Sequence, residues 1–428
     1  MDSMSTSSLH KASRMAELAD TIRKSVAELD TILKSKGVPS PSFDEDASPG
    51  PLPSEAQKAQ DAVLDATAEL HDILLEPTAL VLKTISNEYV AFFGFISRHD
   101  IPNFVPLGGR VSFNEISKKT GVDESIVKRL LRSAMCRRVF QEPEPGQVAH
   151  TKASKAMRSK VLLAFLRTGA DMGWYTIFKL VDAVEKWPDV QEQDQTAFNL
   201  AHNVEGTYFE NVAKDAKNAE LFASGMATQW ELPGYELHHL LDGYDWEGLG
   251  NAKVIDVGGF RGRISIALAE RFPNLDLLVQ DMEMNEADAH AAVPDALKDR
   301  VHFMSRDIFT TQPVRAEVYY IRQIFHDWSD KYCTKLLRAH TAHLEAGARV
   351  LIHDCLLPEV PGTSSLPLWK ERDMRAMDLG LVAHMNGRER SVEEWHKLVT
   401  EADPRFEIRQ IHESKNSMLA LIEVVLKT

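Results

Sequence analysis

Apolar side chains recur along this chain with two different periods, and the change falls near residue 250. Over residues 15–36, Leu18, Ile22, Val26, Leu29 and Leu33 stand three or four apart, which predicts one amphipathic helix with charged flanks. Residues 37–53 carry five prolines and the acidic run Asp44, Glu45 and Asp46, so they read as a linker with little to pack. A second helix is predicted over 56–75. Another opens at Pro77 and is nearly all apolar through Phe92, Phe93, Phe95 and Ile96. A helix so apolar needs its own domain or a second subunit around it. Next, Ser112 with Glu115 forms a capping box, and Gly121 ends the short helix it starts. A following helix carries Ile126, Val127, Leu130 and Leu131, and residues 139–140 and 148–149 flank a turn of Pro143, Pro145 and Gly146. Two helices followed by a small hairpin make a winged-helix pattern. Residues 174–187, 198–209 and 218–230 are helical pieces rich in aromatic side chains, and composition shifts at 242–250.

Beyond that point short apolar runs at 254–257, 275–279, 301–304, 318–321 and 349–352 alternate with helical segments. Such alternation specifies a parallel sheet covered on both faces. Runs at 406–411 and 418–425 lie close together and read as two last strands, one of them antiparallel. The expected fold is α/β: a doubly wound, Rossmann-like C-terminal domain behind a mainly helical N-terminal region. The expected division is an N-terminal helix and linker at 1–55, a helical and winged-helix domain at 56–245, and a catalytic domain at 246–428.

Charge narrows the function. The 428 residues carry 63 Asp and Glu against 49 Lys and Arg, a formal charge of -14. That excess argues against a general binder of nucleic acid or anionic membrane. Residues 111–158 hold ten Lys and Arg against five acids, so a DNA-binding regulator is a competing reading of the wing, beside a subunit interface or lid. Cys136, Cys333 and Cys355 are widely spaced and odd in number, so neither a disulfide framework nor a zinc site is expected. No metal is expected elsewhere. No apolar run looks long enough to span a bilayer, and the Ser- and Thr-rich start lacks the order of a secretory signal. A cytoplasmic enzyme is the expectation.

The candidate chemistry begins at the end of the first sheet strand. There Asp256, Gly258, Gly259 and Gly262 form a turn between a strand and a helix, the place where such sheets bind nucleotides. Glycines let backbone approach a ligand without an intervening Cβ. A dinucleotide loop reads Gly-x-Gly-x-x-Gly; here a carboxylate stands two residues before the first glycine. It would repel a pyrophosphate and suits a ligand with an ammonium group, such as S-adenosylmethionine. Asp281 ends the next strand, nineteen residues beyond Gly262, the spacing of a carboxylate that grips ribose hydroxyls. Asp307 follows the third strand and can reach an adenine, or it is an ordinary cap.

After the fourth strand comes Arg322-Gln-Ile-Phe-His326-Asp-Trp-Ser-Asp330. His326 lies just beyond a strand's carboxyl end, Asp354 ends the fifth strand at the same edge, and Glu389 precedes a helix starting near Ser391. One His with two carboxylates is the composition of a general base held in one tautomer. With these motifs on the page, the chain resembles the plant and fungal S-adenosylmethionine-dependent O-methyltransferases. It is most similar to the fungal branch acting on phenolic polyketides. The resemblance covers nearly the whole chain and rests on Asp256-Val-Gly-Gly, Phe325-His326-Asp-Trp-Ser-Asp330 and Asn386-Gly-Arg-Glu-Arg-Ser391, with His326 and Glu389 63 residues apart. It implies that Gly258, Asp281, Asp307 and Ile308 contact the cofactor, and that Arg322 takes the place of a lysine near it. It further implies that His326 is the base and that Asp354 and Glu389 flank it.

One position departs: Phe260 stands where the family has a third consecutive glycine, and its ring either crowds the adenosyl group or points into the core. The function expected is methyl transfer to a phenolic hydroxyl of an aromatic secondary metabolite by a homodimer. The stripe at Leu18–Leu33 and the apolar stretch Phe92–Ile96 are the reasons for the dimer. A non-methylating catalyst on the same fold is the alternative. Trp174, Met226, Trp230, Asp378 and Met385 are expected to line the acceptor pocket.

Overall fold

A computed structural model describes residues 12–47, 50–85, 87–189, 191–216, 219–222, 232–282, 286–341, 344–363 and 366–427. Its contacts divide the chain into two compact units, Met1–Leu163 with Pro367–Trp369, and Ala164–Leu366 with Lys370–Thr428. The segment 164–245, grouped by its helical pattern with what precedes it, therefore packs with the sheet-bearing unit.

In the first unit, helix α1 (Arg14–Lys36) starts under a Ser13 cap and stops at Gly37, whose φ of 65° opens the left-handed C-terminal cap. Its stripe is only partly covered, with Leu18 and Leu33 buried and Val26 exposed. Helix α2 (Gln57–Leu74) lies against it. The apolar stretch that follows forms two helices, α3 (Pro77–Thr84) and α4 (Glu88–Arg98). Together Pro77–Arg98 make 22 residues long and apolar enough to cross a membrane by length and composition alone, contrary to expectation. The two halves differ, however. Phe92, Phe95 and Ile96 are buried, whereas Val81, Leu82 and Ile85 are exposed beside Ile73 and Leu74.

The Ser112 capping box forms, with Ser112 accepting from the Glu115 N–H and Glu115 accepting from the Ser112 N–H. The small sheet differs from the expected hairpin. Strand β1 (Arg110–Ser112) pairs antiparallel with β2 (Gln147–Ala149), and only Gln141 bridges to Ala149 from the other side. The reason lies in the backbone: Arg138 and Phe140 take φ of 65° and 63°, so residues 139–140 cannot run as a strand.

All seven expected strands of the second unit form one sheet. In chain order they are β3 (Ala252–Val257), β4 (Leu275–Asp281), β5 (Val301–Ser305), β6 (Val318–Arg322), β7 (Arg349–Asp354), β8 (Phe406–Glu413) and β9 (Ala420–Leu426). Their spatial order is β5-β4-β3-β6-β7-β9-β8, with β9 antiparallel to both neighbours. Because β3 pairs with β4 on one side and β6 on the other, the chain reverses its winding direction between β3 and β6. Ligands bind in the crevice at the carboxyl ends of such strands. The glycine turn and the His326 loop leave these two adjacent strands, which puts them on one rim. Beneath the rim Ile255, Val257, Tyr319, Ile321, Val350 and Ile352 belong to one buried core.

Candidate functional site

The glycine turn is tight for identifiable reasons. Gly258 has φ of 75°, and a Cβ there would stand 2.5 Å from Ile324 Cδ1. At Gly259 a Cβ would meet the Asp256 carboxyl at 2.6 Å, and at Gly262 it would press on Val279 and Phe303. The Gly258 N–H donates to the Gln280 carbonyl at 2.7 Å, which fastens the turn to β4. Asp256 is 2% exposed and accepts from the Ser265 hydroxyl at 2.8 Å. Burial raises its pKa to about 6, against the Ser265 hydrogen bond that lowers it. Asp281 accepts two backbone N–H groups, Phe260 at 2.8 Å and Met282 at 2.7 Å. Burial lifts its pKa while those two donors oppose the lift.

Other expected cofactor residues fall in different settings. Asp307 is exposed, and its carboxylate accepts the Phe309 N–H at 2.8 Å, so it caps a turn. Ile308 is packed into the central core. Arg322 ends β6, donates to the Tyr235 carbonyl at 3.3 Å and has its pKa lowered by burial, with Tyr320, Tyr235, Asp354 and Asp256 acting the other way. Two carboxylates beside a glycine turn of this tightness suit a ligand that is cationic and narrow where it meets backbone, so the residues present fit S-adenosylmethionine.

Next to this turn the chain has gathered a buried imidazole and several carboxylates. His326 lies in a short helical turn, Phe325–Asp327, directly after β6. Its Nδ1 is 2.8 Å from Glu389 Oε1, and its Nε2 is 3.5 Å from Asp327 Oδ1. The imidazole and the Glu389 side chain are 9% and 1% exposed. Burial by itself would depress the imidazole pKa. The charges of Glu389 and Asp327, the Glu389 hydrogen bond and Asp354 outweigh burial and raise it to about 10. Asp354 is fully buried, with no hydrogen-bond partner at either oxygen, and burial raises its carboxyl pKa to about 7. Asp327 is raised to about 6 by burial against the opposing pull of His326. Both ring nitrogens thus face carboxylates, and the cluster keeps a proton on the imidazole at neutral pH.

The loop carrying Glu389 is clamped over this group. Helix α5 (Leu368–Met385) leads into it and α6 (Val392–Ala402) leaves it under a Ser391–Glu394 capping box. Gly387 passes so close that a Cβ would stand 2.1 Å from the His326 carbonyl oxygen, which also accepts the Arg388 N–H at 2.8 Å. Asp378, expected to face the acceptor, instead accepts the Glu389 N–H at 2.8 Å. Arg390, 1% exposed, donates to the Phe325 and Trp328 carbonyls and to Asp330. Met385 is buried among Phe198, Tyr208, Val212 and Leu381. Trp174, half-buried, borders Gly169 in a π-helical turn, Gly169–Gly173. Met226 and Trp230 lie outside the described residues.

Reading the sequence missed the strap that joins these loops. Gln193 is 4% exposed and its amide nitrogen donates to both the Asp327 carbonyl at 2.9 Å and the Met385 carbonyl at 2.7 Å. Asn386 donates to the Glu192 and Gln195 carbonyls, and Ser329 to that of Gln191. No spacing rule reaches partners 134 and 192 positions away along the chain. A cavity of about 670 Å³ is lined by Glu389 together with Asp189, Asp330, Arg375, Asp378 and Arg388. Among the described residues no group of three His, Cys, Asp or Glu could hold a metal ion.

Comparison with known proteins identifies the architecture. Residues 179–404 match the family model described as an O-methyltransferase domain. The chain is 86% identical over 425 residues to O-methyltransferase PaMT of Phomopsis amygdali, covering 99% of each. It shares its fold with OxaC, solved in complex with sinefungin and meleagrin, at a TM-score of 0.73 and 24% identity over 95% of this chain and 99% of that one. A solved structure titled a pericyclic reaction enzyme matches at a TM-score of 0.73 and 20% identity over 96% and 100% of the two chains, so the fold alone does not decide the reaction. The family match and the 86% identity do decide it: the chain belongs to the O-methyltransferase family and is an S-adenosylmethionine-dependent O-methyltransferase of secondary metabolism.

Proposed function

We propose that the acceptor is a phenolic hydroxyl of an aromatic secondary metabolite and that His326 Nε2 takes its proton. The observation that carries this reading is the buried imidazole held through Nδ1 by Glu389, 2.8 Å away, on the rim shared with the glycine turn. Phenols and this imidazole both titrate near pH 10, so the proton moves between them at little cost. The charged imidazole must first release its Nε2 proton to solvent. The neutral ring then accepts the phenol's proton, and phenolate beside imidazolium differs from phenol beside imidazole only in where that one proton sits. S-adenosylmethionine, when bound, supplies a methyl group made electrophilic by its sulfonium. Gly258 and Gly259 admit it to the backbone, Asp256, Asp281 and Asp307 offer it carboxylates, and Arg322 stands at the end of the neighbouring strand. Asp354 and Glu389 hold the charge that His326 acquires, and Asp327 adds to them. On the acceptor side Met385, Trp174 and the rings of Phe198 and Tyr208 offer apolar surface, and Asp378 acts through Glu389.

The test is methyl-labelled S-adenosylmethionine with a panel of phenols and aliphatic alcohols. Label on phenols, lost in His326→Ala, is the expected result. Undiminished transfer in that variant refutes the base, and label confined to aliphatic hydroxyls refutes the acceptor class.

A second copy of the chain is part of the proposal, on different grounds from those in the sequence. Leu18, Leu33, Phe92 and Ile96 are already buried, while Ile73, Leu74, Val81, Leu82 and Ile85 form an exposed apolar stretch that a partner would cover. Sedimentation of a lasting monomer at micromolar concentration counts against it. We read the capped helices 113–136 and their small sheet as a winged helix serving this interface, not DNA. Three of its basic side chains are engaged in ion pairs, Lys128 with Glu124, Arg132 with Glu142 and Arg137 with Glu88. Free thiols at Cys136, Cys333 and Cys355 suit a reducing cytoplasm.

A further inference from the structure

Phe260 is the aromatic side chain in the cofactor turn, and its backbone adopts φ of 47°. Left-handed backbone at a bulky residue is strained and persists where something else rewards the side chain. Packing among the described residues does not supply that reward. The ring is 57% exposed, and the neighbour recorded over it is the Arg261 guanidinium, 5.3 Å from its centre. The Phe260 N–H bond to Asp281 uses backbone and would be made equally by glycine. Nor does the turn accept side chains in general. A Cβ at Gly258 would stand 2.5 Å from Ile324, one at Gly259 2.6 Å from Asp256, and one at Gly262 3.0 Å from Val279. At position 260, by contrast, the chain carries an exposed aromatic ring. Its backbone N–H donates to Asp281, the carboxylate that the cofactor reading assigns to a ribose.

We propose that Phe260 is a donor-affinity residue whose exposed ring face stacks on the nucleoside part of S-adenosylmethionine. Arg261 covers one face and keeps the ring at the rim; the ligand takes the other. This inference rests on the cofactor reading above and adds a residue to it. Of the two alternatives left open by the sequence, the core is removed, because the ring is exposed; crowding of the adenosyl group is the outcome opposite to the one proposed. Stacking of a base on an aromatic side chain is worth about 5- to 150-fold in affinity.

Calorimetry of the full-length protein with S-adenosylhomocysteine and with 5′-methylthioadenosine, which lacks the amino-acid part, tests it. Phe260→Gly should weaken both ligands by a similar factor of at least about 5. Phe260→Tyr should stay close to the native affinity. Because glycine relieves the left-handed strain, Phe260→Gly should not lower the melting temperature of the ligand-free protein. Equal or tighter binding by Phe260→Gly overturns the proposal. So does a loss seen with S-adenosylhomocysteine alone, an equal loss in Phe260→Tyr, or a weakened Phe260→Gly that also melts earlier without ligand. Failure of the native protein to bind either ligand would overturn the cofactor reading itself.

Discussion

Replacing Glu389 by Gln removes one charge from the His326 cluster while leaving an oxygen to accept the Nδ1 proton. The rise of the imidazole pKa from 6.5 to about 10 corresponds to about 5 kcal/mol of preference for the charged ring. That preference is the excess of three carboxylates over burial, and Glu389 is the one in direct contact, at 2.8 Å. A hydrogen bond to a charged group is worth roughly 1.5–3 kcal/mol and one between neutral groups about 1, so the exchange forfeits on the order of 1–2 kcal/mol from the bond alone. Loss of the buried charge adds to this. The imidazole should therefore release its proton at least about one pH unit lower in Glu389→Gln. If neutral His326 is the base, native kcat/KM rises with pH from neutrality toward about 10. The variant's rise should level off earlier and at a lower plateau, because a weaker base transfers the proton less readily. The same displacement should appear when the ring is titrated by NMR. A native profile already flat at pH 7, or one unmoved by the substitution, refutes the charged resting imidazole and Glu389 as its cause.

Two more substitutions probe the surroundings. Gly387→Ala would put a methyl group 2.1 Å from the His326 carbonyl oxygen and 2.8 Å from the Asp327 carbonyl carbon, both backbone. The loop must shift by about an ångström, so kcat should fall by on the order of 10²-fold with S-adenosylhomocysteine affinity unchanged; near-native kcat would refute the close fit. Asp354 holds its proton to about pH 7 in the folded protein against 3.8 when unfolded. Folded protein then binds more protons than unfolded between those values, and native stability declines as pH rises through them. Asp354→Asn lacks that titration, so urea unfolding should show the variant gaining on the native protein between pH 5 and 7.5 while losing activity. A pH-independent difference would refute the raised carboxyl.

The sheet was legible because short apolar runs alternate with helical segments, and the placing of His326, Asp354 and Glu389 was legible because the chain sets them at or near the carboxyl edge of that sheet. The wing was misread because left-handed backbone at Arg138 and at Phe140 itself interrupts the β-forming residues 139–140. Asp378 was expected at the acceptor, and the backbone N–H of Glu389 from which it accepts had no signal in sequence, because that loop meets the helix only in the folded chain. Gln193 had no signal at all. Its two carbonyl partners become neighbours only after α5 and the β6 loop are both in place, and no local pattern encodes that meeting.

That amide has a consequence for how acceptors are told apart. Gln193 precedes the aromatic helix Ala197–His202, whose Phe198 packs with Met385, and the same side chain anchors the carbonyl beside the base. An ill-fitting molecule that levers Phe198 outward tugs on the peptide next to the imidazole. Wrong guests should then be admitted yet converted slowly, so selectivity would register as turnover rather than as exclusion. Grafting the 191–202 segment from a relative to change preference should disturb proton transfer along with it.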